Sequence, residues 1–196
     1  MTAASNPAPT PAHDDATDAA ASALVAFWRE AGPSRWFTRD EAFDAQCRER
    51  FLDLHMRASR RELEPWLDTA TGALALVLLV DQIPRNVFRG SAHVWATDGL
   101  ARRYADTALA RGHDGRVEPE LRTFFYLPFV HSEALADHER AQALYAGLDG
   151  DDPGRWARHH RGIIERFGRF PHRNALLGRE STAEEQAFID GGGFSG

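Results

Sequence analysis

Gly72-Ala73-Leu74-Ala75-Leu76-Val77-Leu78-Leu79-Val80-Asp81-Gln82-Ile83-Pro84-Arg85-Asn86 decides the fold. Eight apolar residues in a row, Ala73 to Val80, show no alternation with polar ones, so this segment is buried on every side. A buried strand and a buried helix both fit that pattern. Ala and Leu dominate it, which favours helix. The whole chain agrees: Ala and Leu number 50 of 196 residues, Val and Ile only 11. A central buried helix must be walled by others, so the expected fold is all-α.

The punctuation on either side supplies those other helices. Ala19–Ala31 reads as a helix stopped by Gly32-Pro33. A segment from Thr38 to Arg60 opens with a capping-box pattern, Thr38 with Glu41, and carries Phe43, Cys47, Phe51 and Leu54 at helical spacing. After the central helix, His93–Arg111 ends at Gly112, and Pro119 sits at a favourable first position for a helix to Val130. Ser132 is placed to cap a helix to about Leu148. Asp152-Pro153 starts another that ends at Phe167-Gly168, and Thr182 with Glu185 makes a second capping box. This predicts about eight helices in antiparallel hairpins with short loops. No 34-residue repeat is visible. Residues 1–18 are mostly Ala, Pro, Thr, Ser and Asp with little to bury and are expected to be a disordered tail. Residues 19–196 are expected to form a single all-helical domain.

Charge and composition exclude several classes. The formal charge is −6, which argues against a general nucleic-acid binder. No apolar run approaches the roughly 20 residues needed to span a bilayer. The N-terminus lacks the basic-then-apolar pattern of a secretory signal, so a cytoplasmic protein is expected, with no membrane partner. Cys47 is the only cysteine, which excludes an internal disulfide framework, and its helical phase with Phe43 and Phe51 places it in the core. No GxGxxG, Walker loop or HExxH is present, so neither a nucleotide cofactor nor a metal is expected. His159-His160 lacks diagnostic ligand spacing, and His55, His93 and His113 lie apart from it. All 23 basic residues are arginine, so every cation is a planar fork suited to carboxylate or phosphate.

Polar residues that interrupt apolar stretches mark the candidate site. Asp81 and Arg85 are four apart and can face each other on a helix, with Pro84 expected to kink or end it. His131 and Glu133 come just after the Pro128 junction. From Arg155 to Arg179, seven arginines stand against one acid, Glu165. That surplus must be neutralised either by acids of the protein, such as Asp81, Glu133 or Asp137, or by an anionic ligand. Gly168 and Pro171 frame a turn that displays His172, Arg173 and Asn174.

Phe27-Trp28, Trp36-Phe37, the run from Gly72 through Asp81-Gln82-Ile83-Pro84-Arg85-Asn86-Val87-Phe88-Arg89-Gly90, and Ala96-Thr97-Asp98 form a recognisable set. It continues with Phe125-Tyr126-Leu127-Pro128-Phe129, His131-Ser132-Glu133, Arg166-Phe167-Gly168-Arg169-Phe170-Pro171-His172-Arg173-Asn174 and Leu177-Gly178-Arg179. In these stretches, over about residues 22 to 194, the chain resembles the bacterial domain of unknown function 924 family. His138 stands where glutamine is usual. The resemblance implies an all-α fold with a tetratricopeptide-like, right-handed array of helical hairpins. It brings no activity and no catalytic residues.

The residues themselves therefore carry the functional expectation. His131 and His172 are candidate general acid/bases, with Glu133 or Asp81 to orient them. Arg85, Asn86, Arg169, Arg173 and Asn174 are candidate ligand contacts for an anionic small molecule, carboxylate or phosphate. No nucleophile or hydride machinery is visible, so hydrolase or lyase chemistry fits better than redox chemistry. The alternative is a non-enzymatic scaffold that binds a protein partner in a helical groove, with the polar motifs locking helix junctions.

Overall fold

The computed structural model describes residues 14–194. Among these residues there is no strand, and the fold is all-α. In chain order the helices are α1 (Asp14–Ala31), α2 (Pro33–Trp36), α3 (Glu41–Ser59), α4 (Ala70–Val77), α5 (Ile83–Val87) and α6 (Asp98–Ala110). Then come α7 (Pro119–Arg122), α8 (Leu127–Val130), α9 (Leu135–Tyr145), α10 (Arg155–Phe167) and α11 (Ala183–Asp190). Single tight turns of 3-10 helix fill several connections, among them Ala92–Trp95 and Pro171–Arg173.

The central segment is buried as its sequence demands. Every residue from Ala73 to Val80 is at 0% exposure. α1 packs on α4, α3 on α5 and α6 on α4, while α9 pairs with α10. Trp28, Phe43 and Phe124 pack edge-on or tilted around α1 and α3. Trp36 is buried with them, and its indole Nε1 donates to Trp28 O at 2.6 Å. Phe37, its neighbour, stays exposed. A second, smaller apolar cluster joins Ile163, Ile164 and Phe170, with Phe167, Phe188 and Phe194 packed around it.

Several boundaries differ from the sequence reading, each for a local reason. Asp40 caps α3, accepting from Ala42 N at 3.0 Å and Phe43 N at 3.1 Å, so the helix starts at Glu41 and Thr38 is not its cap. The helix expected from His93 starts at Asp98, because Ser91 accepts from His93 N and opens a separate 3-10 turn. The helix expected over 119–130 is broken into α7, a 3-10 turn and α8. Pro128, at the first turn of α8, has no N–H to continue the preceding turn. Ser132 Oγ accepts from Ala134 N, which fixes the turn before α9 and leaves the helix itself without a side-chain cap. Gly168 ends α10 with φ 68°, a conformation glycine adopts freely. The Thr182–Glu185 capping box on α11 is present as expected. Of the expected disordered tail, residues 1–18, residues 1–13 lie outside those described, and the last five open α1, which begins at Asp14, ahead of the expected Ala19.

Candidate functional site

The polar site is built where α4 runs out. After Val77 the chain makes a π-helical turn, Leu78–Gln82, and continues directly into α5. Pro84 therefore does not end the helix. It occupies the first turn of α5, and Thr97 Oγ1 donates to Val80 O in place of its missing N–H. Asp81 lies in the π turn with its carboxylate fully buried. Its Oδ1 meets His131 Nδ1 at 2.8 Å, and its Oδ2 accepts from Gln82 Nε2 at 2.6 Å. Arg85 lies 3.4 Å from the same carboxylate, donates to Asp81 O, and sends Nη2 to Asp98 at 3.1 and 3.3 Å. Asp81 and Arg85 do face each other across one helical turn, as their spacing requires.

Arg173 closes the site from the C-terminal side. Its Nη2 donates to His131 O at 2.9 Å and its Nη1 lies 3.5 Å from Asp98 Oδ2. Its guanidinium also sits over the rings of Trp95 and Phe170, at 5.2 and 4.6 Å. Asp98 is thus shared by Arg85 and Arg173.

The electrostatics fix the protonation of the pair. Burial pushes the Asp81 carboxyl up, but Arg85, His131 and Gln82 together outweigh it and hold it below the usual carboxylate range. For His131, burial and then Arg85 lower the pKa, and Asp81 opposes them only in part. At neutral pH the pair is therefore carboxylate and neutral imidazole. An ionised Asp81 only accepts, so Nδ1 carries the proton and Nε2 carries the lone pair. Among the described residues Nε2 bonds to no protein group, and it reaches solvent; the His131 side chain is 15% exposed. This arrangement can take up a proton at Nε2 and return it, with Asp81 stabilising the imidazolium.

The other nominated residues form adjoining networks. Glu133 accepts from Phe170 N at 2.9 Å and takes Arg179 in a fork at 2.7 and 3.0 Å. Arg169 forks onto Glu185 at 2.6 and 2.8 Å, and Asn174 Nδ2 reaches Glu185 at 3.3 Å. His172 packs against Phe170, Phe194 and Trp95 with its Nδ1 buried and unpartnered. Burial, then Arg173, pushes its pKa down to about 4. Asn86 turns to the other side, donating to Gln82 O at 3.4 Å and accepting from Arg89 at 3.5 Å. His131, Asp81, Arg85 and Arg173 are brought together; Glu133, Arg169, Asn174 and Asn86 are not part of that contact set. Two surface cavities, one beside Tyr145 and Arg158 and one beside Arg166 and Glu184, are not lined by His131.

Sequence reasoning did not nominate Asp98, which joins the two central arginines, nor Glu185, which anchors Arg169. The surplus of arginines called for such acids, but only their positions in space identify them. Among the described residues no group of three or more His, Cys, Asp or Glu side chains is placed to hold a metal ion. Among them also, no helix is long and apolar enough to cross a membrane.

The described residues thus form an all-α fold with a buried Asp–His pair where the central helix is interrupted. The chain belongs to the family described as bacterial protein of unknown function (DUF924), whose model matches residues 24–193. It is also similar to a solved structure, that of the protein of unknown function ATU0120 from Agrobacterium tumefaciens. The two share 52% identity with a TM-score of 0.86, over 89% of this chain and 99% of that one. No curated protein matches the chain.

Proposed function

We propose that Asp81 and His131 form the acid–base centre of a small-molecule site, acting in hydrolysis or elimination on a substrate with a carboxylate or phosphate group. One observation carries this reading: a fully buried carboxylate holds Nδ1 of a partly exposed imidazole whose Nε2 meets no protein group among the described residues. His131 Nε2 takes a proton from water or from the substrate. Asp81 fixes the ring and stabilises its charged form. Arg85 and Arg173 are the groups within reach of an anion. They already face Asp81 and Asp98, so an anion shares them with protein carboxylates, and the proton taken up by His131 offsets the added negative charge. His172, packed beside Arg173, is the second candidate to contact it.

A second reading is favoured by one specific observation. Every arginine nominated for the ligand already meets a carboxylate of the protein. In that reading the networks lock helix junctions of a scaffold that binds a protein partner, and no small molecule enters.

A thermal-shift screen against carboxylates and phosphates separates the two. A ligand at 100 times its dissociation constant adds about 2.7 kcal/mol of stability. For a chain of this size that is roughly 5–10 °C in Tm. The acid–base reading expects such a shift from one chemical class and its loss in a folded His131→Gln variant. A broad panel without any shift, together with an unchanged His131→Gln, rejects it in favour of the scaffold.

A further inference from the structure

Between Leu78 and Ile83 the central helix carries one residue more than an α turn holds. Ile83 N–H reaches back five residues to Leu78 O, where α geometry would send it to Leu79 O. Leu79 O is thereby released, and His55 Nδ1 of α3 donates to it at 2.8 Å. The next carbonyl, Val80 O, would be served by residue 84, which is proline and has no N–H. Thr97 Oγ1, just before α6, donates to it at 2.6 Å. Asp81 O accepts from Arg85 Nη1. Three successive carbonyls at the heart of the molecule are therefore met by three side chains. His55 and Thr97 are themselves buried. Unmet, the Leu79 and Val80 carbonyls, which have no backbone donor in this turn, would carry the full desolvation cost of buried acceptors.

The interruption has a geometric effect on the site. One extra residue in a turn rotates the downstream helix by about 100° relative to a continuous α-helix. Asp81 lies inside that turn, so its direction relative to α4 depends on the turn staying open. Helix insertions of this kind occur often at functional sites.

We propose that Thr97 and His55, acting with Pro84, are positioning residues: they hold the π turn open, and the open turn aims the Asp81 carboxylate at His131. The functional meaning rests on the acid–base reading above. The positioning itself is measurable without a substrate.

The experiment is the imidazole 15N spectrum of the full chain at pH 7, with the His131 signals identified by their loss in His131→Gln. The wild type is expected to show a protonated Nδ1 and a bare Nε2. Thr97→Val keeps the shape and removes the donor. It is expected to lose that pattern and give a mixture of tautomers. Thr97→Ser restores a hydroxyl and is expected to restore the pattern, which a mere packing role for Thr97 would not require. A folded Thr97→Val with the wild-type spectrum overturns the proposal. So does a wild type without a proton on Nδ1, since Asp81 is then not aimed at it. Should Thr97→Val fail to fold, Pro84→Ala decides. It offers Val80 a backbone donor and is expected to change the same signals; an unchanged spectrum overturns the proposal. If the tautomer responds as expected while no compound shifts Tm, the positioning stands and the acid–base reading falls.

Discussion

The helical run from Ala70 to Val87 and the segment from Gly168 to Phe194 both carry an Arg-Asn pair just after a proline, yet they are held in place by different forces. In the first, Ala73 to Val80 are wholly buried, and the first polar side chain after them is Asp81. In the second, Phe170 is the only fully buried large apolar side chain, and Phe188 and Phe194 are half-buried. What ties that segment to the rest is two arginine–carboxylate pairs, Arg173 with Asp98 and Arg179 with Glu133, while Arg169 with Glu185 fastens the segment to itself. Apolar burial gives net stability in proportion to area. Paired buried charges give little net stability but are costly to break. The lesson is that the candidate site sits on the seam between a region stabilised by burial and one fastened by ion pairs.

The largest expected effect breaks a fastening. Arg173→Ala removes the Asp98 contact, the bond to His131 O and the packing on Trp95 and Phe170. A loss of about 3–5 kcal/mol is expected. Hydrogen exchange should place most of that loss in residues 168–194. Next, Leu78→Ala opens a cavity in the buried run and should cost about 2–5 kcal/mol. Here the whole protein should unfold earlier in denaturant, with one transition. The contrast collapses if the exchange patterns of the two variants are the same.

Acid should sharpen the difference. Burial lowers the pKa of His160 to about 3 and, with Arg173, that of His172 to about 4, from an ordinary 6.5. Each binds a proton more readily in the unfolded chain. Stability is therefore full above about pH 6.5 and falls as the pH drops towards the folded values. Glu185, held at about 2 chiefly by Arg169, adds a further loss as the pH falls from about 4.5 towards 2. Both effects lie in or against the C-terminal segment. Its amides should lose protection between pH 6.5 and 4, before those of α4. His172→Gln should flatten that decline by up to one proton, at most about 1.4 kcal/mol per pH unit. An unchanged slope would show that burial of His172 does not govern it.

The same contrast explains what could be read from sequence. An unbroken apolar run must be buried on every side, and its Ala and Leu choose helix over strand, so the buried central helix was legible from Ala73 to Val80. The Thr182–Glu185 box and the stop at Gly168 were legible because capping chemistry is local. Asp81 facing Arg85 was legible from their spacing. The π turn was not legible: Pro84 signals an interruption, but only the donors His55 and Thr97, distant in sequence, decide that the helix continues through it. Asp98 was hidden for the same reason. A surplus of arginines shows that acids are needed, and long-range geometry alone shows which. The false cap at Thr38 is a local competition that Asp40, one residue before the helix, wins.

The smallest expected effects give the finest test, because equal local changes can be made in both regions. Asp40 caps α3 in the main body, and Thr182 caps α11 in the C-terminal segment. Replacing either by alanine should cost about 1 kcal/mol. In α3, which packs on α5, the cost should appear as an earlier global transition. In α11, only eight residues long, it should appear as faster exchange of 183–190 while α4 amides stay as they were. That outcome means the ion-paired segment opens on its own, and that Arg173 can leave Asp98 and His131 without unfolding the core. If Thr182→Ala speeds exchange in α4 as much as Asp40→Ala does, the two regions unfold as one, and the seam at His131 opens only when the whole molecule does.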